Sequence, residues 1–116
     1  MLEKIFTLIS KHRFSLDTED HLKEQMAVIL TLNGISYKKE HILDPKNIVD
    51  FFSDGIGIEA KIKTTETAKK IYKQCVRYCE FDEIEKLILV TNKALGFPKE
   101  INGKPCYVIN LGKSWL

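Results

Sequence analysis

The sequence predicts an α/β fold, a mixed central sheet with helices packed against it. Three observations carry this expectation. Short runs rich in Ile, Val, Phe and Tyr recur along the chain, bounded by Gly, Pro, Asn and Asp. Two stretches ahead of those runs, and one among them, instead repeat apolar residues at helical spacing. The dipeptide Asp54-Gly55 lies between two apolar runs, a strong short-range signal for a hairpin. With 116 residues, 44% hydrophobic and 29% charged, residues 1–116 suit one domain large enough for a real core.

The first helix is expected over about 2–11, where Leu2, Ile5, Phe6 and Ile9 share a face. That segment is too short and too interrupted for a signal peptide or membrane span, and no other run approaches spanning length. A second helix is expected from about 18 to 33, with Asp17 or Thr18 as its cap and Asn33-Gly34 as its stop. Its buried stripe is Leu22, Met26, Ile29 and Leu30. Strands are expected at 35–43, 47–52 and 56–62, the first broken by Asp44-Pro45. Thr64-Thr65 can cap a third helix through "ETAKKIYKQCVRYCEF", with Ala68, Ile71, Cys75, Tyr78 and Cys79 as its stripe. "KLILVT" (86–91) is apolar enough for a buried strand, and "KPCYVINL" (104–111) reads as the last.

A net charge of +2 excludes a polycation that coats nucleic acid indiscriminately, so such a partner requires a local patch. The cysteines, Cys75, Cys79 and Cys106, are odd in number and lack CxxC spacing. This argues against a disulfide framework or zinc ribbon and for a reducing, cytoplasmic compartment. They read as small buried hydrophobes. His12, His21 and His41 lack metal-ligand spacing, and no Ser/His/Asp set, Cys/His set or phosphate-loop glycine string occurs. No aromatic single-strand platform or recognition-helix motif supports sequence specificity.

The hairpin holds the main chemical signal. If Asp54-Gly55 are its two turn residues, Ser53 pairs with Ile56 and Asp50 lies opposite Glu59. Asp50, Glu59 and Lys61 then share one face, while Val49, Phe51, Ile58, Ala60 and Ile62 line the other as the core face. Facing carboxylates destabilise a strand pair unless something positive sits between them. One reading is a surface charge cluster neutralised by Lys61. The other is a hard oxygen site for Mg²⁺ or Mn²⁺, with Lys61 acting on a water or on charge developing at a phosphate.

Asp50, eight intervening residues and then Glu59-Ala60-Lys61 resemble the D…(D/E)xK signature of the PD-(D/E)XK nuclease superfamily. The resemblance implies a restriction-endonuclease-like core of order α-β-β-β-α-β, here with an extra N-terminal helix and C-terminal strand. "QCVRY" (74–78) is similar to the QxxxY string of the RecB-like branch, whose small stand-alone phage and bacterial members the chain resembles over roughly 13–116. That resemblance implies that Gln74 orients the active-site Lys61 and that Tyr78 supports the site. It also implies a metal shell of Asp50, Glu59, the Ala60 carbonyl and a helix-borne glutamate. Glu19 and Glu24 are the candidates for the last, and Glu19 is preferred because it begins the buried stripe. A plain first-turn glutamate facing the helix dipole is the alternative role. Two departures stand out: Gly57 two residues before the acid, and Val49-Asp50 where the signature has Pro-Asp. Three cysteines also do not supply the four-cysteine iron–sulfur cluster of some members.

Around this signature Lys61, Lys63, Lys69, Lys70, Lys73 and Arg77 outnumber Glu59 and Glu66, a patch suited to phosphate contact. Lys11-His12-Arg13 and Lys38-Lys39 are candidates to extend it. A solvated lysine-rich helix face is the alternative. The expectation is an Mg²⁺- or Mn²⁺-dependent deoxyribonuclease acting on DNA, away from membranes, in the cytoplasm of a bacterium or phage-infected cell. It would work as a homodimer or as a subunit of a larger nucleic-acid-processing complex. The rival expectation is an inactive nuclease-fold module that binds nucleic acid or a protein partner.

Overall fold

The computed structural model of the protein describes residues 1–112, so the Trp-Leu pair at 115–116 lies outside the described residues. Among them are three helices: α1 (Leu2–Lys11), α2 (Glu19–Leu32) and α3 (Ala68–Tyr78). The strands are β1 (Lys38–Asp44), β2 (Asn47–Ser53), β3 (Ile56–Lys61), β4 (Lys86–Thr91), β5 (Glu100–Ile101) and β6 (Lys104–Asn110). They form a mixed sheet in the order β1-β2-β3-β4-β6-β5. β1, β2 and β3 are antiparallel neighbours, β3-β4 and β4-β6 are parallel, and β5 returns antiparallel on β6. From α2 to β4 the order is the expected α-β-β-β-α-β, with α1 before it and β5 and β6 after.

Each helix packs through the stripe its sequence provides. Ile5 and Ile9 of α1 and Leu22, Met26, Ile29 and Leu30 of α2 bury against Phe51, Ile58, Ala60, Ile88 and Val90 on one sheet face. Ile71, Cys75 and Tyr78 of α3 and the following Cys79 cover Val49, Leu87 and Leu89 on the other. β3 is buried along its whole length between these layers. The three cysteines are free and buried, as expected of small hydrophobes.

Four expectations need correction. β1 begins at Lys38 rather than at 35, because Gly34 and Ile35 are consumed in ending α2. Gly34 takes φ 71°, its N–H bonds Thr31 O, and the Ile35 N–H bonds Leu30 O, the paired bonds of a Schellman stop. α3 is capped by Thr67, whose hydroxyl accepts from the Lys70 N–H, and not by Thr64-Thr65. Thr64 instead accepts from the Glu66 N–H in a local turn, and Ala68 is exposed. β5 was not expected; it pairs back across Asn102-Gly103, both at positive φ. Finally, Val49 packs beneath α3 whereas Phe51 packs beneath α1 and α2. Residues two apart on a regular strand share a face, so the alternation breaks at Asp50. The neighbouring β1 is irregular at the same level, with Glu40 at φ 53° between the pairs Lys39–Phe51 and His41–Val49.

Candidate active site

The hairpin register sets the two acids side by side. Asp54 and Gly55 have φ 49° and 79°, as a type I′ turn requires, and Ser53–Ile56, Phe52–Gly57 and Phe51–Ile58 are paired. Gly57 is tightly enclosed: a Cβ there would lie 3.0 Å from Ile84 Cδ1 and 3.2 Å from Leu87 Cδ1. Beyond Phe51–Ile58 the carboxylates take over as acceptors from the strand carbonyls. The Asp50 N–H donates to Glu59 Oε1 at 3.2 Å, and the Ala60 N–H donates to Asp50 Oδ2 at 2.8 Å. Each acid therefore has one oxygen tied into the sheet and one left over.

Both remaining oxygens face a lysine. Lys61 Nζ lies 3.8 Å from Glu59 Oε2 and 3.2 Å from Glu66 Oε1. Lys23 Nζ, reaching in from α2, lies 3.4 Å from Asp50 Oδ1 and 3.4 Å from Glu40 Oε1. Asp50, Glu59 and Lys61 are only 6%, 4% and 8% exposed, which rules out a solvated surface cluster. Glu19 is half-buried at the start of α2 and accepts from the Ile62 N–H at 3.4 Å, next to Lys61. Glu24 is exposed and lines a groove with His12, His21 and Val28 instead.

Burial dominates the electrostatics. It pushes Glu59 up to about 8, with the Asp50 charge adding to the rise and Lys61 opposing it. Burial also raises Asp50, against the Ala60 N–H and Lys23, which favour its ionised form. Glu19 is raised by burial too. Lys61 sits above the ordinary lysine value: burial pulls it down, but Glu59, Glu66 and Glu19 outweigh that. Lys23 behaves alike, with Asp50 and Glu40 overcoming its desolvation.

No family model, curated protein or solved structure matches the chain.

The QxxxY pair is joined within α3. Gln74 Nε2 donates to the Tyr78 hydroxyl at 2.9 Å, and that hydroxyl donates to Ile48 O on β2 at 2.8 Å. Gln74 Oε1 is buried with no hydrogen-bond partner, so it makes no bond to Lys61. Burial and the adjacent Glu59 charge raise Tyr78 above the ordinary phenol range, keeping it a neutral donor. Lys63, Lys69, Lys70, Lys73 and Arg77 are all exposed. Lys70, Lys73 and Arg77 form a stripe on α3 beside Gln74 and Tyr78 at helical spacing, and Arg77 Nε donates to Asn47 Oδ1 at 3.2 Å.

Among the described residues no three His, Cys, Asp or Glu side chains converge on one metal-holding point. The donors nevertheless fit a hard cation. Asp50 Oδ1 and Glu59 Oε2 are uncommitted to backbone N–H groups, and Mg²⁺ commonly uses one or two carboxylates and keeps several waters. Sequence reasoning missed Lys23, Glu40 and Glu66. Only Lys23 carried a usable signal: it stands four residues after Glu19, on the same face of α2.

Proposed function

We propose that the protein is a divalent-metal-dependent nuclease that hydrolyses DNA phosphodiester bonds. One observation carries the reading: two buried acids on adjacent strands, each with one oxygen anchored by a backbone N–H and the other facing an ammonium. Burying two facing acids against their lysines is costly, and such perturbed clusters concentrate at functional sites. Asp50 and Glu59 would hold Mg²⁺ or Mn²⁺, with Glu19 and the Ala60 carbonyl the further candidates. The ion would supply Lewis-acid activation of the phosphate and of an attacking water.

The chain's own residues do the rest. The Ala60 and Asp50 N–H groups fix the two carboxylates in orientation, so little reorganisation is needed when they bind. Lys61, raised by its acidic neighbours in the metal-free protein, stands where it would act on the attacking water or on charge developing at the phosphate. Tyr78, clamped between Gln74 and Ile48 O, fixes α3 against β2 beside the acids. The exposed Lys70, Lys73 and Arg77 stripe, with Lys63 and Lys69, is available to phosphates flanking the scissile bond. A homodimer or a larger nucleic-acid-processing assembly in the cytoplasm would add substrate-binding surface beside this site.

The test is cleavage of single-stranded, duplex, flap and junction DNA, and of RNA, with Mg²⁺ and Mn²⁺. Asp50→Asn is expected to reduce cleavage to background and Lys61→Met to lower it about 10²–10³-fold. Cleavage by purified Asp50→Asn at the wild-type rate would refute the assignment. A second reading, a nuclease-fold module that binds nucleic acid without cutting it, draws on the lack of three converging metal ligands among the described residues. It requires salt-sensitive DNA binding with no cleavage under either ion.

A further inference from the structure

We propose that Lys23 is a built-in counter-ion that occupies the Asp50 carboxylate in place of a divalent cation and is exchanged for it when metal binds. The proposal rests on the metal-site reading above and adds a regulator to it.

Asp50 has two carboxylate oxygens, and the sheet uses one. Oδ2 accepts the Ala60 N–H, which leaves Oδ1 as the oxygen open to a ligand. Lys23 Nζ stands 3.4 Å from that oxygen, and its side chain is only 14% exposed. An ammonium and a divalent cation cannot both crowd one carboxylate oxygen, because their mutual repulsion at a few ångströms exceeds thermal energy several-fold in a partly buried site. Metal binding at Asp50 therefore requires Lys23 to withdraw.

The structure also gives Lys23 somewhere to go. Glu40 Oε1 lies 3.4 Å and Asp20 Oδ1 3.9 Å from the same nitrogen, with side chains 51% and 93% exposed. A small rotation of the lysine toward these two acids keeps its charge partnered while freeing Oδ1. Glu40 is placed for this by its positive φ of 53° opposite the break in β2. Lys61 differs, since its second partner Glu66 is itself half-buried beside the site.

The consequence is measurable without any cleavage assay. Lys23 competes with metal, so removing its charge should tighten metal binding, an effect opposite to that of damaging the site. Calorimetric titration with Mn²⁺ is expected to give Lys23→Met and Lys23→Gln about tenfold tighter binding than wild type. Lys23→Arg, which keeps the charge, should stay within about threefold of wild type. A lysine with a merely structural role leaves affinity unchanged or weakens it, and either result in both neutral variants overturns the proposal. Lys23→Gln retains an amide able to bond Asp50 and serves where Lys23→Met fails to fold. Asp50→Asn separates the two ideas. Mn²⁺ binding that is lost in Asp50→Asn but indifferent to Lys23 leaves the metal site standing and removes the counter-ion. Failure of wild type and both neutral variants to bind Mn²⁺ removes both.

Discussion

Glu59 holds a proton at a pH where an ordinary glutamate has long lost it, and this sets a pH dependence for the metal-free fold. Its folded value of about 8 lies above the ordinary 4.5, so the folded state binds more protons than the unfolded chain between those limits. The associated stability is fully present below 4.5 and is lost as pH rises toward 8. Asp50 is shifted in the same direction. In EDTA the melting temperature should fall by roughly 5 °C or more from pH 5 to pH 8, and Glu59→Gln should flatten that slope. A wild-type melting temperature that rose over this range would contradict the burial assigned to the pair. At this scale Asp50, Glu59 and Lys61 were legible because a two-residue turn fixes register and register fixes neighbours. Lys23, Glu40 and Glu66 come from other elements, and their approach to the acids is tertiary. Val49 lies on the opposite face from the one alternation predicts because the strand is irregular at Asp50.

The elements fold where side chains can satisfy their ends. Thr67 carries the start of α3, so Thr67→Ala should cost about 1 kcal/mol in denaturant unfolding. Gly55 turns the hairpin at φ 79°, and a Cβ there would meet Glu85 Oε2 at 2.1 Å. Gly55→Ala should destabilise by about 1–2 kcal/mol, chiefly from backbone strain, since the Glu85 tip can move aside. An unaltered unfolding midpoint in either variant would show that the end contacts carry no weight. Helix existence was readable from period, the strands 47–52 and 56–62 from the Asp54-Gly55 turn between them, and 86–91 from its unbroken apolar run. The start of α3 was not, because three threonines compete for the cap and the first turn after Thr67, Ala68 to Lys70, is exposed and carries no apolar signal. β5 had its own signal, Asn102-Gly103, obscured by the brevity of the strand on one side of it.

The whole molecule is a sheet covered on both faces, and Tyr78 joins the layers. Its ring is buried beneath α3 while its hydroxyl reaches Ile48 O on β2. Tyr78→Phe leaves that carbonyl and the Gln74 amide without their shared partner, so it should lower stability by about 1–2 kcal/mol. Cleavage should fall with it if the clamp positions β2. Far-UV circular dichroism that stays native while the unfolding midpoint drops would distinguish the lost clamp from global misfolding. Among the described residues no helix is long and apolar enough to cross a membrane, in keeping with the short apolar runs of the sequence. Which face each helix would cover was not legible, because strands buried on both sides lack the alternation that assigns a face.

The anchoring of one oxygen of each acid by a backbone N–H also bears on how such a chain would drift if the proposed cleavage ceased to matter. Asp50 and Glu59 stitch β2 to β3, so selection for a folded sheet alone would tend to preserve them. Retained acids in a descendant would then testify to architecture as much as to chemistry. Among the described residues the Lys61 ammonium pairs with the side chains of Glu59 and Glu66 and adds nothing to the strand pairing. Across descendants of this sequence, the lysine is the position whose loss would first mark the end of the proposed cleavage.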